Sequence, residues 1–279
     1  CNRGQGGGLY AAGILQGVHN TVFTNNKARL GAGMGISNTG IFGGIWESTF
    51  ENNVASMQGG AIYTASKGIN GGIHDSIFRG NSAQMGGAIV TMGIRDGIYN
   101  TLFEENIATT SAGGAIATAA PSTNPPAEAG IFAGGIYDSK FLRNTSAVAG
   151  SAIRVSYMFN GDIVRTVFDS NNCTGQSGTL YVVNTTTGSI IDSSFTNNTA
   201  GVTATSAGGA GAVFVAGYTG DIVRSTFHNN VGGSMLGGAI MVMNGDLNGK
   251  ITGSTFTQNR LGASVQAGVP SRGGAIGVF

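Results

Sequence analysis

A phenylalanine followed three residues later by an asparagine recurs along the whole chain. The pairs are Phe23/Asn26, Phe50/Asn53, Phe78/Asn81, Phe103/Asn106, Phe141/Asn144, Phe168/Asn171, Phe195/Asn198, Phe227/Asn230 and Phe256/Asn259. Successive phenylalanines lie 27, 28, 25, 38, 27, 27, 32 and 29 residues apart. The unit is therefore a coil of roughly 27 residues, and the longer copies carry insertions. A repeat of this size cannot bury its own apolar face; it must stack on its neighbours, which dictates a solenoid.

Other positions keep the same register. Val18, Ile45, Ile73, Ile98, Ile136, Ile163, Ile190, Ile222 and Ile251 stand five before each Phe, and a Ser or Thr stands two before it. Between these lies Gly-Gly-Ala-Ile, at Gly59, Gly86, Gly113, Gly237 and Gly273, with looser copies elsewhere. The segments are short, β-branched and cut by glycine pairs, and none shows a helical period. They predict an all-β, right-handed parallel β-helix of about nine to ten coils with two or three short strands per coil. Each strand then pairs with its copy about 4.8 Å away. Ile and Phe ladders fill the core, and the Asn ladder, buried at the turn, gives its amides to neighbouring backbone. The odd spacing from Ile to Ser demands a bend, since a flat strand would put them on opposite faces.

One such domain is expected over residues 1–279, with loops inserted near 117–130, 201–207 and 262–271. Three of the four prolines fall in the first of these. Both ends read as unfinished coils: Cys1 and Asn2 begin mid-motif, and Gly273, Gly274, Ala275 and Ile276 through Phe279 start a strand that is not completed. A cut from a longer array explains this, and so does a subunit that stacks head to tail through these residues, because bare coils are sheet edges. Cys173 takes a slot used by small alanines. Cys1 lies about six coils, or ~29 Å, from it, so no disulfide between them is expected.

Four before each Phe, outward by alternation, stand His19, Trp46, His74, Tyr99 and Tyr137, replaced further on by Val164, Ile191, Val223 and Thr252. This aromatic stripe is a candidate ligand-binding face, because ring faces stack on sugars or partner side chains; the alternative is that the rings stack on each other. Beside it Asp138, Arg165, Asp192 and Arg224 alternate in sign, which predicts ion pairs between coils. Glu47, Asp75 and Asn100 offer oxygen ligands to a shared cation or are simply solvated. The outward slot of the Gly-Gly-Ala-Ile strand holds Tyr10, Tyr63, Val90, Tyr181, Phe214 and Met241, a candidate interface or a floor covered by the insertions. Asn144, Asn172, Asn184 and Asn197 open Asn-x-Ser/Thr sequons.

Charged residues are 10% of the chain and the net charge is +1, which supplies no basic excess for nucleic acid or an anionic membrane. No apolar run reaches the ~20 residues of a membrane span. The thirteen Asp and Glu are spread thinly, and the three His have no evident Ser or Cys partner. A polysaccharide lyase or hydrolase would need clustered carboxylates. The sequence therefore predicts a non-catalytic protein with no cofactor and no metal.

The paired Gly59–Ile62 and Phe78/Asn81 motifs, with their counterparts in the other coils, resemble the repeats of chlamydial polymorphic outer-membrane proteins. The resemblance implies a β-helical autotransporter passenger on a cell surface, with a role in adhesion. The membrane β-barrel and the secretion signal of that family are not in this sequence. Two functions follow as expectations: an extracellular scaffold that binds host glycan or protein through its stripe and loops, or a filament of copies of itself.

Overall fold

A computed structural model of the chain describes residues 4–119, 130–175, 177–201, 209–233, 237–262 and 274–278. It is a parallel β-solenoid of about nine turns, with no helix among the described residues. One sheet has ten strands and three have nine; in each the strands follow one another in chain order, and every pairing is parallel. A coil thus runs through four strands, as in Ile62–Thr64, Ile73–His74, Ile77–Arg79 and Ser82–Ala83, and two coils add a fifth, Gly93–Ile94 paired with Ile131–Phe132. The expectation of two or three strands is corrected to four. Several are two residues long, too short to leave a periodicity that sequence can show.

Left-handed corners cut the coil this finely. The residue three before each Phe has positive φ, between 43° and 51° at Asn20, Glu47, Asp75, Asn100, Asp138, Arg165, Asp192 and Arg224 and 62° at Gly253. So has the residue two after it, including Glu105 (55°), Arg143 (51°) and Ser170 (56°). The first corner is the bend that the Ile-to-Ser spacing requires, and the following hydroxyl clamps it. Ser48 Oγ donates to the Trp46 carbonyl across Glu47 (2.7 Å) and accepts the Thr21 N–H of the preceding coil (3.2 Å). Non-glycine residues pay conformational energy in this region, Asn least of all. Ser170→Asn is therefore expected to raise stability by about 0.5 kcal/mol, and Ser170→Val, which is β-branched, to lower it by about 1–2 kcal/mol. Urea midpoints of the two variants check both signs.

The glycine pair has a different origin at each member. Gly113 takes φ 73°, and a Cβ on Gly114 would fall well inside van der Waals contact of the Ser151 carbonyl oxygen in the next coil. The first glycine turns the chain, and the second lets two backbones touch.

Inside, the rings of Phe23 through Phe256 stack face to face along the axis, with centroids 4.5–5.1 Å apart and planes within 9°. Phe50 to Phe227 are fully buried. Beside them runs the amide ladder. Asn106 Nδ2 donates forward to Asn144 Oδ1 (3.0 Å) and back to the Phe78 carbonyl (2.8 Å). Its Oδ1 accepts the backbone N–H (3.1 Å) and Nδ2 (3.0 Å) of Asn81. Every hydrogen-bonding site of the side chain is used. Asn171 repeats the pattern: its Nδ2 donates to Asn198 Oδ1 (3.0 Å) and to the Phe141 carbonyl (2.8 Å). So does Asn198, whose Nδ2 donates to Asn230 Oδ1 (3.0 Å) and to the Phe168 carbonyl (2.9 Å). Both are fully buried. Asn144 is fully buried as well, so that sequon is closed to modification.

One feature of the ladder corrects the expectation. It is not buried along its whole length: Asn26 and Asn259 are only half-buried, in coils that water reaches. Asn26 gives its backbone N–H (3.1 Å) and its Nδ2 (2.9 Å) to Asn53 Oδ1. The amides serve backbone as expected, and from Asn26 to Asn230 each also donates to the amide of the next coil. The reason lies in their placement. Asn26, Asn171 and Asn198 belong to no strand; Asn171 sits between Val167–Asp169 and Asn172–Cys173, and Asn198 between Ser194–Thr196 and Thr199–Ala200. The backbone N–H at this corner has left the sheet, and the side-chain oxygen of the next coil accepts it instead: Asn171 N reaches Asn198 Oδ1 at 3.0 Å.

One inward row escaped the sequence reading. Four before each core Ile stand Ile41, Ile69, Ile94, Phe132, Phe159, Thr186 and Tyr218, all buried and joined by parallel pairing. Its residue type drifts from Ile to Phe to Tyr, which hides the repeat. Burial pushes the Tyr218 phenol far up, and its hydroxyl reaches the Asp221 carbonyl at 3.4 Å. Cys173 is buried as a free thiol; Cys1 lies outside the described residues. The three expected insertions fall mostly in 120–129, 202–208 and 263–273, also outside them.

Candidate functional site

The aromatic stripe is a continuous stack whose geometry begins two residues upstream of each ring. Each of its rings follows a Gly two residues earlier, at Gly17, Gly44, Gly72, Gly97 and Gly135. A Cβ on Gly72 would strike His74 Nε2, and one on Gly135 the Tyr137 ring. The rings therefore fold back over bare backbone. Trp46 Nε1 donates to the Gly43 carbonyl (2.8 Å); His19 Nε2 and His74 Nε2 donate to those of Gln16 (2.9 Å) and Gly71 (3.1 Å). A carbonyl only accepts, so both imidazoles carry their proton on Nε2.

Stacking then follows from the coil spacing. Centroids are 6.3 Å apart for His19–Trp46, 3.6 Å for Trp46–His74, 4.8 Å for His74–Tyr99 and 4.9 Å for Tyr99–Tyr137, all within 8° of parallel. The inner faces are thus occupied by neighbouring rings, and only edges and polar tips along the stripe face outward. This is the alternative left open by the sequence, in which the rings stack on each other, and it leaves the two end faces of the stack for a planar ligand.

Downstream the bend is built differently. Asp162, Ser189 and Asp221 replace the glycine, and their side chains accept the backbone N–H of the next coil: Ser189 N to Asp162 Oδ1 (2.8 Å), Asp221 N to Ser189 Oγ (3.0 Å), Lys250 N to Asp221 Oδ1 (2.7 Å). The stripe ends at Tyr137 because the bend changes from glycine with a ring lid to a side-chain cap. At that junction lies a depression of about 440 Å³, lined by Tyr99, Tyr137, Arg95, Asp96, Asn160, Asp162 and the Ala133–Gly135 and Gly161 backbone.

Burial between Trp46 and Tyr99 lowers the His74 imidazole below its ordinary range, against the opposing pull of its hydrogen bond to Gly71. The folded state then binds this proton less readily than the unfolded chain, so stability is lost as pH falls below about 6.5. Trp46 is the only tryptophan and stacks directly on His74. Its emission is expected to titrate with a midpoint below the ordinary imidazole value, and His74→Asn to abolish that titration.

Ion pairs line both corners. Arg165 grips Asp138 with two bonds (2.6 and 2.8 Å) and Arg224 grips Asp192 likewise (both 2.7 Å). These bonds hold both carboxyls below the usual carboxylate range. A second network was not foreseen: Arg79 bridges Glu51 (3.5 Å) and Glu104 (2.7 Å), and Arg143 reaches Glu104 and Glu105. It escaped notice because it steps between the slots one and two after Phe. Asn100 presents its amide N–H to Asp75 Oδ1 (2.7 Å), an arrangement that does not offer the Asn oxygen to a shared cation. Among the described residues no group of three His, Cys, Asp or Glu is placed to hold a metal.

The outward slot of the ten-stranded sheet is uneven. Tyr10 is 56% exposed, Tyr181 and Phe214 stack at 4.9 Å, but Val90 and Met241 are buried. Exposed apolar surface is thereby confined to parts of that face. Of the residues expected at a head-to-tail joint, Cys1, Asn2, Gly273 and Phe279 lie outside the described residues. Ile276 pairs with Ile240, the Gly274 carbonyl accepts the Gly238 N–H, and the Ala275 carbonyl accepts those of Ala239 and Ile240.

Residues 47–65 match the Chlamydia polymorphic membrane protein repeat. The match spans the Glu47 corner, Phe50, Asn53 and the Gly59–Ile62 motif, the elements that build one coil. This coil is thus similar to the repeat of chlamydial polymorphic membrane proteins. No characterised protein and no solved structure matches it.

Proposed function

We propose that this chain is a non-catalytic passenger scaffold displayed outside the cell, which adheres to glycan or protein on a partner surface through its lateral faces. The matched repeat and the solenoid fit a surface-displayed scaffold of that kind. The observation that supports a non-catalytic reading is the state of the carboxylates. Asp138, Asp192 and Glu104 are held anionic by Arg165, Arg224 and Arg79. A glycoside-cleaving acid needs the opposite, a carboxyl whose proton is held near neutral pH. The scaffold reading also accounts for the axial ladders, which make a rod that presents side chains at fixed coil spacing.

The test is attachment of beads coated with the native chain to cultured epithelial cells, alongside electron microscopy across a concentration series. Saturable attachment by dispersed rods supports the proposal. Non-adherent beads with long unbranched fibres would refute it and favour head-to-tail assembly.

A further inference from the structure

We infer that the depression at the end of the aromatic stack, over Tyr137 and Asp162, is a saccharide-binding site that takes one pyranose ring in the next place of the stack. The inference rests on the adhesive reading above and names the ligand class and the place. Four rings precede Tyr137 at coil spacing, and the coil that follows puts Val164 in the slot, so among the described residues no ring continues the stack beyond Tyr137. Tyr137 folds back over Gly135; the matching place in the next coil lies over Asp162, flanked by Asn160 and Gly161, and these three line the depression. Its volume of about 440 Å³ falls within the range of small-molecule sites, about 300–1,000 Å³.

The lining decides the class. An aromatic ring supplies a flat apolar face, and around it stand two carboxylates, an amide and a guanidinium on exposed or half-exposed positions. A wholly apolar planar guest would strip water from Asp96, Asp162 and Asn160 and return no hydrogen bonds, which is unfavourable. A quaternary cation would gain from the ring face and the carboxylates but can neither donate nor accept a hydrogen bond to the rest of the lining. A neutral pyranose has an apolar C–H face for Tyr137 and a rim of hydroxyls that both donate and accept, which suits this mixed lining. The Tyr137 phenol is pushed upward by burial and by the neighbouring Tyr99 and Asp162, so it stays protonated as a hydrogen-bond donor.

The experiment titrates the native chain with methyl glucoside, methyl galactoside, methyl mannoside and methyl N-acetylglucosaminide, read by saturation-transfer NMR. Tetramethylammonium and indole are run as competing probes. Expected is binding of at least one pyranoside at millimolar concentration, weakened at least tenfold by Tyr137→Val. That residue is native to the slot in the next coils, so the variant keeps the fold. Trp46→Ile, far along the stack, leaves binding unchanged. Failure of all four pyranosides, binding unaltered in Tyr137→Val, or binding of tetramethylammonium or indole alone overturns the inference. Bead attachment separates the two readings: attachment that survives Tyr137→Val while no pyranoside binds sinks this site and leaves adhesion standing. Pyranoside binding without attachment supports the site and sinks the adhesive reading.

Discussion

Asn106→Ala is expected to destabilise the solenoid by about 3–6 kcal/mol, read as a fall in the urea midpoint followed by circular dichroism and Trp46 emission. The substitution leaves the Phe78 carbonyl, the Asn81 backbone N–H and one N–H of the Asn81 amide without their partners, all in fully buried surroundings. Each orphaned group costs about 1–3 kcal/mol, and the lost side-chain volume adds to that. Asn259→Ala supplies the scale. That residue donates to the Phe227 carbonyl (2.7 Å) and accepts from Asn230 (2.9 Å), but in a partly exposed coil, where water can replace the lost bonds. Its penalty should be less than half as large. Asn106→Asp gives a further check by sign. A buried carboxyl has its pKa raised in the folded state, so the stability it contributes is present at low pH and is lost as pH rises through the folded value. The aspartate variant should therefore lie closest to the parent in acid, the reverse of the His74 dependence. A penalty below about 1 kcal/mol for Asn106→Ala, the net worth of a single ordinary hydrogen bond, would mean that the ladder is not a structural element at all.

The repeat was readable because its rows are chemically pure. Nine Phe, nine Asn and the Gly-Gly-Ala-Ile motif each answer to one unvarying demand: a stackable ring, an amide with two donors and two acceptor positions, a backbone with no Cβ. Purity of type did not reveal exposure, however, so half-buried Asn26 reads in sequence like fully buried Asn171 and Asn198. The row from Ile41 through Phe132 to Tyr218 was missed because its demand is looser. It asks mainly for buried volume, which Ile, Phe and Tyr supply, and it admits the polar Thr186. The four-strand path was hidden for a different reason. Asp138, Arg165 and Arg224 sit at left-handed corners, and nothing in an Arg or Asp announces positive φ as a glycine would.

The stripe shows where sequence spacing stops being informative. The positions of His19, Trp46, His74, Tyr99 and Tyr137 follow from the register alone. Ring direction does not, because it depends on the Gly two residues before each ring, a pairing that gains meaning only once the backbone is seen to leave room there. Read with the glycines, the choice left open between a ligand-facing stripe and mutual stacking resolves to one stack whose termini are special. The change from Gly135 to Asp162 marks such a terminus and coincides with a depression.

Phe103→Ala tests the other half of the core and separates packing from hydrogen bonding. The Phe103 ring stacks on Phe78 at 4.7 Å and on Phe141 at 4.8 Å and is fully buried. Its removal orphans no polar group, because the Phe103 carbonyl, which accepts Asn144 Nδ2 at 2.9 Å, belongs to the backbone and remains. The expected loss is about 3–5 kcal/mol from burial and cavity together, and about 1–2 kcal/mol for Phe103→Leu, which refills part of the volume. The two strands beside the hole are each tied to copies above and below, so the coil cannot readily collapse into it. An apolar cavity of that kind stays dry and accepts a benzene molecule. Saturating benzene should then raise the melting temperature of Phe103→Ala while leaving the parent and Asn106→Ala unmoved. A variant that loses stability without any recovery in benzene would show that the coils close over the gap, and that the Phe stack is held by its neighbours' backbone rather than holding them.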